Sequence, residues 1–180
     1  MKFTFKMMAV IVTIAIVLVG CNSKDNTNEK EQTSQEETDI KQMVHDYSIG
    51  KLDAQNASIT GTELSVTDDQ DKETVYKLPD DEFFVSIAPF VNETHPCTFH
   101  SLTGCQGEMV EQEFDVHIED TEGNVVINET MKSLENGFID LWLPRDKTYQ
   151  VKITHDGKNV ESEISTFADD ATCITTMQLS

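Results

Sequence analysis

The spacing of apolar residues divides the chain into segments with different expected structures. Between residues 40 and 47, apolar positions recur at helical spacing, and Gly50 follows as a helix stop signal. Three short runs with the composition of strands come next, at Ala57–Thr60, Glu63–Thr67 and Thr74–Leu78. We therefore predict a small α+β N-terminal domain over residues 39–79.

Beyond residue 80 the apolar pattern changes to a period of two, which is typical of half-buried strands. Strands are expected at Phe83–Val91, Phe114–Glu119, Asn124–Glu129, Gly137–Leu143, Tyr149–Thr154, Val160–Phe167 and Thr172–Leu179. Asn-Gly and Asp-Gly pairs mark hairpins between some of them. The predicted fold class is mainly β, with an antiparallel β-sandwich over residues 80–180. The segment Gly137–Lys158 loosely resembles a hairpin of prealbumin-like modules.

The N-terminal segment has the pattern of an export signal. Two lysines precede an apolar run from Met7 to Val19, which is short for a membrane span. The run ends in Leu18-Val19-Gly20-Cys21, which resembles the bacterial lipobox. We predict that residues 1–20 are a lipoprotein signal peptide and that Cys21 is lipidated, which would anchor the protein to the membrane outside the cytoplasm. An uncleaved anchor helix is the alternative.

Residues 21–38 contain no large apolar side chain, so they are expected to form a flexible acidic tether. Charge limits the partners of the whole protein. The chain has 33 acidic and 13 basic residues, and removal of residues 1–20 takes two lysines away, which leaves a formal charge of 11 − 33 = −22. A protein of this charge is repelled by phosphate backbones, so nucleic acid is excluded as a partner.

The remaining cysteines are Cys97, Cys105 and Cys173, an odd number for an oxidising compartment. A Cys97–Cys105 disulfide with a buried Cys173 is one interpretation. The other is a metal site, because His95 and His100 flank Cys97 on both sides. Three thiols with an imidazole form a soft donor set that suits Cu(I), and zinc also accepts such a set. Residue types alone leave copper and zinc open.

The loop around these cysteines contains Gly104 and Gly107, which permit unusual φ angles and close backbone approach, and Pro96, which stiffens its entry. Met177 lies on the same predicted strand face as Cys173, and Phe138 shares a face with Trp142. Met177, Phe138 and Trp142 are expected in the core rather than at a metal.

The run Cys97–Glu108, CTFHSLTGCQGE, together with a third cysteine near the C-terminus, resembles the signature of the CueP family of envelope copper-binding proteins. This resemblance implies copper sequestration outside the cytoplasm for resistance or delivery, with reduction of Cu(II) to Cu(I) by the cysteines. It also implies a copper-recipient protein and a homodimer. On this analogy the metal ligands are Cys97, Cys105 and Cys173, with His100 as the preferred imidazole and His95 as a further candidate. The lipobox and the acidic tether depart from soluble relatives.

Three functions therefore compete. The favoured one is a copper-binding lipoprotein with an ancillary Cu(II)-reducing activity rather than a dedicated enzyme. A thiol–disulfide oxidoreductase is the second, although the chain lacks a Cys-x-x-Cys motif in a βαβ pattern. The third is a structural or adhesive β-sandwich lipoprotein whose cysteines staple a loop.

Overall fold

The computed structural model describes residues 39–180. It contains a helix, α1, over residues 39–48. The strands are β1 Asn56–Ile59, β2 Glu63–Thr67, β3 Glu73–Lys77, β4 Glu82–Ile87, β5 His100–Ser101, β6 Glu113–Asp120, β7 Val125–Lys132, β8 Ile139–Pro144, β9 Thr148–His155, β10 Lys158–Ser165 and β11 Cys173–Ile174. The predicted signal peptide, lipidation site and tether lie outside the described residues. Within residues 39–180, no helix has the length and apolar character to cross a membrane.

The first sheet has the strand order β3-β2-β1-β5 and packs with α1. The apolar face of α1, with Ile40 and Val44, enters one core with Ile59 of β1 and Leu64 of β2. The sequence pattern missed β5, a two-residue strand in the cysteine-rich loop that pairs with β1. The predicted domain boundary between residues 79 and 80 stays a prediction. The first sheet contains β1, β2 and β3 from the N-terminal segment and β5 from the C-terminal segment.

The sandwich is formed by the sheet β10-β9-β6-β7 and the shorter sheet β11-β4-β8. Alternate residues of facing strands fill the core between them, among them Phe83 and Val85 of β4 and Val116 and Ile118 of β6. The predicted fold class, mainly β with antiparallel sheets and a small helical element, is confirmed. The C-terminal run differs in detail, because β11 is short and pairs with β4 in parallel.

The strand pair β4–β8 is covered on both faces. Phe83 and Val85 face the sandwich core, whereas Phe84, between them, packs into the core beneath α1 together with Trp142 of β8. Because side chains alternate along a strand, Ser86 of β4 and Asp140 of β8 also lie on the face opposite the sandwich. The strand pair β4–β8 therefore places the polar side chains of Ser86 and Asp140 in the interior, on the side of the sheet that faces away from the sandwich core.

Candidate metal centre

Backbone pairing brings the two ends of the cysteine set together. Cys97 and Cys105 lie on either side of β5, and Cys173 is the first residue of β11. The amides of Thr172 and Cys173 both donate to the carbonyl of Thr98, at 3.0 and 3.1 Å. The strand β11 is thereby fastened to the loop that carries Cys97. Cys173 thus reaches the loop although it is far from it in sequence.

Three sulfurs and one imidazole converge at this point. The Sγ atoms of Cys97 and Cys105 are 3.6 Å apart. One donor atom from each of His95, Cys97, Cys105 and Cys173 falls within 4.8 Å of all the others. All three cysteines are free thiols, with Cys173 buried and the other two partly exposed. The structure therefore holds a compact set of potential metal ligands with access from solvent.

Close backbone contact shapes the loop. A Cβ atom on Gly107 would lie 2.6 Å from the carbonyl oxygen of Gly137, so only glycine allows this approach. Gly137 has a φ of +80°, whereas Gly104 and Gly107 do not adopt the left-handed region. The unusual φ angles expected of Gly104 and Gly107 are therefore absent, and close approach is what Gly107 supplies.

A carboxylate fastens the two ends of the loop. Glu108 accepts hydrogen bonds from the amides of Val91 and Asn92, at 2.6 and 3.0 Å, and from the Asn92 side chain at 3.0 Å. These donors, the Asn92 amide foremost, lower the pKa of Glu108 to about 2. The entry to the loop is thus tied to its exit on either side of the cysteine cluster.

His95 has a buried ring nitrogen that lacks a hydrogen-bond partner. Its Nε2 is buried and has no hydrogen-bond partner within residues 39–180. The ring stands edge-on to Phe138, with centroids 6.3 Å apart. A buried polar atom without a partner is costly, so the ring of His95 is not fully satisfied by the protein's own groups.

His100 occupies a different position, deeper in the fold. It is 0 % exposed, its ring lies 4.4 Å from that of Phe138, and its Nε2 is 3.4 Å from the hydroxyl of Ser86. It is not one of the four residues whose donor atoms converge. The sequence placed His100 ahead of His95 as the imidazole ligand, whereas the geometry favours His95. The choice of ligands stays a prediction.

Hydrogen bonding and burial within the cluster give the three cysteines different pKa values. The pKa of Cys105 is held well below its usual range, first because the thiol of Cys173 donates to it, with further help from His100 and the amide of Ser101. The pKa of Cys173 is raised, first because its thiol proton is engaged in the hydrogen bond to Cys105 and then because the side chain is buried. Burial likewise raises the pKa of Cys97. Cys105 is therefore the cysteine of the cluster that loses its proton most readily.

The structure also locates the other residues that the sequence pattern raised, and it adds one that the pattern missed. Phe138, expected in the core, is fully buried but packs with Cys97, Cys105 and Cys173 as a wall of the site. Met177 lies in the sandwich core, as predicted. Ser86 was missed. Its signal was that of a lone polar side chain in the apolar run from Phe83 to Val91.

Known proteins that are similar to this chain indicate its family. Over residues 39–178, the chain matches the family described as "Periplasmic copper-binding protein CueP". The chain belongs to the CueP family. A solved CueP structure, titled "Crystal Structure of S.CueP", has a TM-score of 0.73 and 37% sequence identity, and the match covers 78% of this chain and 88% of that one. No curated protein matches the chain. The resemblance of the loop to CueP is confirmed, and the family's description agrees with an extracytoplasmic location.

Proposed function

We propose that this protein binds copper at the cluster of His95, Cys97, Cys105 and Cys173 and reduces Cu(II) to Cu(I) there, outside the cytoplasm. The observation that carries the proposal is the convergence of three free thiols and one imidazole nitrogen of His95 within 4.8 Å of one another. CueP relatives are described as copper-binding, which supports copper as the ion.

The spacing of the donors suits a thiolate-bound ion. Metal–sulfur bonds of about 2.3 Å in a tetrahedral site separate the sulfurs by roughly 3.8 Å. The 3.6 Å between the sulfurs of Cys97 and Cys105 is close to this value. The other pairs of donor atoms, which lie at most 4.8 Å apart, would need to approach each other by up to about 1 Å to reach the same spacing. Soft sulfur ligands favour Cu(I), and zinc is the competing ion that a titration must address.

The reduction balances with the two nearer thiols as electron donors. Cys97 and Cys105 together give two electrons to two Cu(II) ions, and they form one disulfide and release two protons, which leaves two Cu(I). Their sulfurs need to approach by roughly 1.5 Å to reach the length of a disulfide bond. Cys105, the cysteine with the lowered pKa, is the first electron donor. Cys173 and His95 remain as ligands for Cu(I) after this step.

The proposed location and partners rest on the sequence pattern and on family resemblance. We infer that lipid on Cys21 anchors the protein to the membrane and that residues 21–38 extend the folded part away from it. Copper resistance, or delivery of Cu(I) to a recipient protein, is the corresponding role. The recipient and a homodimeric assembly rest on family resemblance alone.

The direct test mixes fully reduced protein with Cu(II) under anaerobic conditions. We expect about one Cu(I) per thiol lost, measured with a chromogenic Cu(I) chelator and a thiol count on the same sample. Competition between Cu(I) and Zn(II) for the reduced protein identifies the preferred ion. Protein that keeps all three thiols and produces no Cu(I) would refute the reductive function and leave the stapled-loop interpretation.

A further inference from the structure

Thr172, the residue immediately before Cys173, is completely buried, with 0 % of its surface exposed. Its hydroxyl bridges two strands of the first sheet. It donates to the carbonyl of Ile59 in β1 at 2.6 Å and accepts from the amide of His100 in β5 at 3.0 Å. The direction of both hydrogen bonds is fixed, because a carbonyl only accepts and a backbone amide only donates. The hydroxyl therefore fastens the segment before Cys173 to the start of β5.

The backbone of Thr172 determines how Cys173 lies relative to Cys97. The carbonyl of Thr98, which follows Cys97 in the chain, accepts from the amides of Thr172 and Cys173 at 3.0 and 3.1 Å. Only backbone atoms make these hydrogen bonds, so a substitution such as Thr172→Val leaves them in place.

The side chain of Thr172 supplies the connection to Cys105. The amide of Cys105 donates to the carbonyl of Ser101 at 3.0 Å, and its sulfur accepts from the amide of Ser101 at 3.4 Å. Ser101 adjoins His100, whose amide donates to the hydroxyl of Thr172. Cys105 is therefore tied to β5, and the hydroxyl ties β5 to the residue before Cys173.

We propose that Thr172 is a positioning residue of the metal centre, whose hydroxyl sets the place of Cys173 relative to Cys105 by joining the start of β11 to β5 and β1. Both of its hydrogen bonds go to the backbone, so the hydroxyl acts through the strands that carry the thiols. Groups that orient metal ligands typically account for about 10- to 100-fold in affinity. The effect on copper rests on the proposed function, whereas the effect on the cysteines is a property of the metal-free protein.

The first test measures the alkylation of Cys173 by iodoacetamide in the metal-free, reduced protein, with the modified peptides identified by mass spectrometry. Cys173 is 2 % exposed, so it reacts only when β11 moves away from the loop. Thr172→Val keeps the size of the side chain but removes the hydroxyl. We expect Cys173 to react about 10-fold faster in this variant, because buried backbone groups lose a partner. Thr172→Ser keeps the hydroxyl and should react at about the parent's rate.

Thr166→Val is the matched control. Thr166 is also 0 % exposed, and its hydroxyl likewise donates to a carbonyl, that of Pro144, and accepts from an amide, that of Lys147, where β8 turns into β9. This variant should lower the stability of the fold about as much as Thr172→Val, while Cys173 reacts at the parent's rate. Equal acceleration of Cys173 in the two valine variants, or none in Thr172→Val, would overturn the proposal.

The second test measures Cu(I) affinity by competition with a chelator. Thr172→Val should bind Cu(I) about 10-fold less tightly than the parent, whereas Thr172→Ser and Thr166→Val should bind it as the parent does. An unchanged affinity in Thr172→Val would overturn the role in the metal centre. A parent that binds no copper refutes the proposed function instead, and the alkylation of Cys173 still decides what the hydroxyl does.

Hydrogen exchange of the unaltered protein keeps the proposal testable if Thr172→Val does not fold. Because the hydroxyl joins the strands, the amides of His100 and Cys173 should open in one step and show similar protection factors. A protection factor of His100 at least 10-fold below that of Cys173 would overturn the proposal.

Discussion

The sulfur atoms of Cys97 and Cys105 lie 3.6 Å apart without a bond between them, and the thiol of Cys97 donates to the carbonyl of Phe99 instead. The two sulfurs are close enough to share an ion and to form a disulfide after a small movement. Retention of copper and electron transfer to it therefore draw on the same pair of atoms. Substitutions that separate these two properties test the proposed function most sharply.

Cys97→Ser and Cys173→Ser should differ in their effects. Serine preserves size but removes the redox-active sulfur, so Cys97→Ser should lose most Cu(II) reduction and weaken Cu(I) retention. Cys173→Ser leaves the Cys97–Cys105 pair intact, so it should still reduce Cu(II) while it retains Cu(I) at least 10-fold less tightly. Chelator competition and thiol counting measure both properties. A Cys97→Ser protein that reduces and retains copper like its parent would contradict the mechanism.

His95→Ala should weaken Cu(I) binding by about 10-fold or more, because it removes the imidazole whose ring nitrogen converges with the three sulfurs. Reduction of Cu(II) should change less, since the electrons come from thiols. His45→Ala, on the exposed surface of α1, is the control and should behave as the parent. Equal Cu(I) affinity in His95→Ala and His45→Ala would exclude His95 as a ligand.

Gly107→Ala should displace the loop, because its Cβ would meet the backbone of Gly137 at 2.6 Å. We expect a loss of about 1–3 kcal/mol in the free energy of unfolding, together with weaker copper binding. Gly104→Ala is the milder comparison, since its Cβ would meet the movable side-chain oxygen of Ser101. Denaturant unfolding and copper titration check both effects. A Gly107→Ala protein as stable as Gly104→Ala would argue against the close contact.

Glu108→Gln should lower the melting temperature by about 2–4 °C at pH 7, because the amide cannot accept every hydrogen bond that the carboxylate accepts. The folded pKa of Glu108, about 2, lies below the usual 4.5. Its stabilisation is therefore complete above about pH 4.5 and is lost as the pH falls towards 2. The difference in melting temperature should shrink over that range. Glu135→Gln, at an exposed position, should show no such pH dependence.

Cys21→Ala should release the protein from membranes or leave it unprocessed, because the lipid acceptor is lost. Fractionation of cells and the mass of the intact protein measure the two outcomes. Ser23→Ala, two residues further along the predicted tether, should remain in the membrane fraction. Unchanged fractionation and mass in Cys21→Ala would contradict lipidation.

Several properties could be predicted from the sequence because each depends on local chemistry. A period of two in the apolar residues indicated strands, since side chains alternate across a sheet whatever its partners are. The spacing of His95, Cys97 and Cys105 within one loop made a soft metal site plausible. The same loop identified the family.

Other properties were decided only by the tertiary structure. The two-residue strands β5 and β11 have no period to detect, and they exist because β1 and β4 offer them backbone partners. The pairing of Cys173 with Ser86 in β4 brings the third thiol to the loop. His95 rather than His100 joins the sulfurs because β5 turns the ring of His100 inward, towards Ser86. These outcomes depend on residues far apart in the chain, whose separation only the packed layers determine.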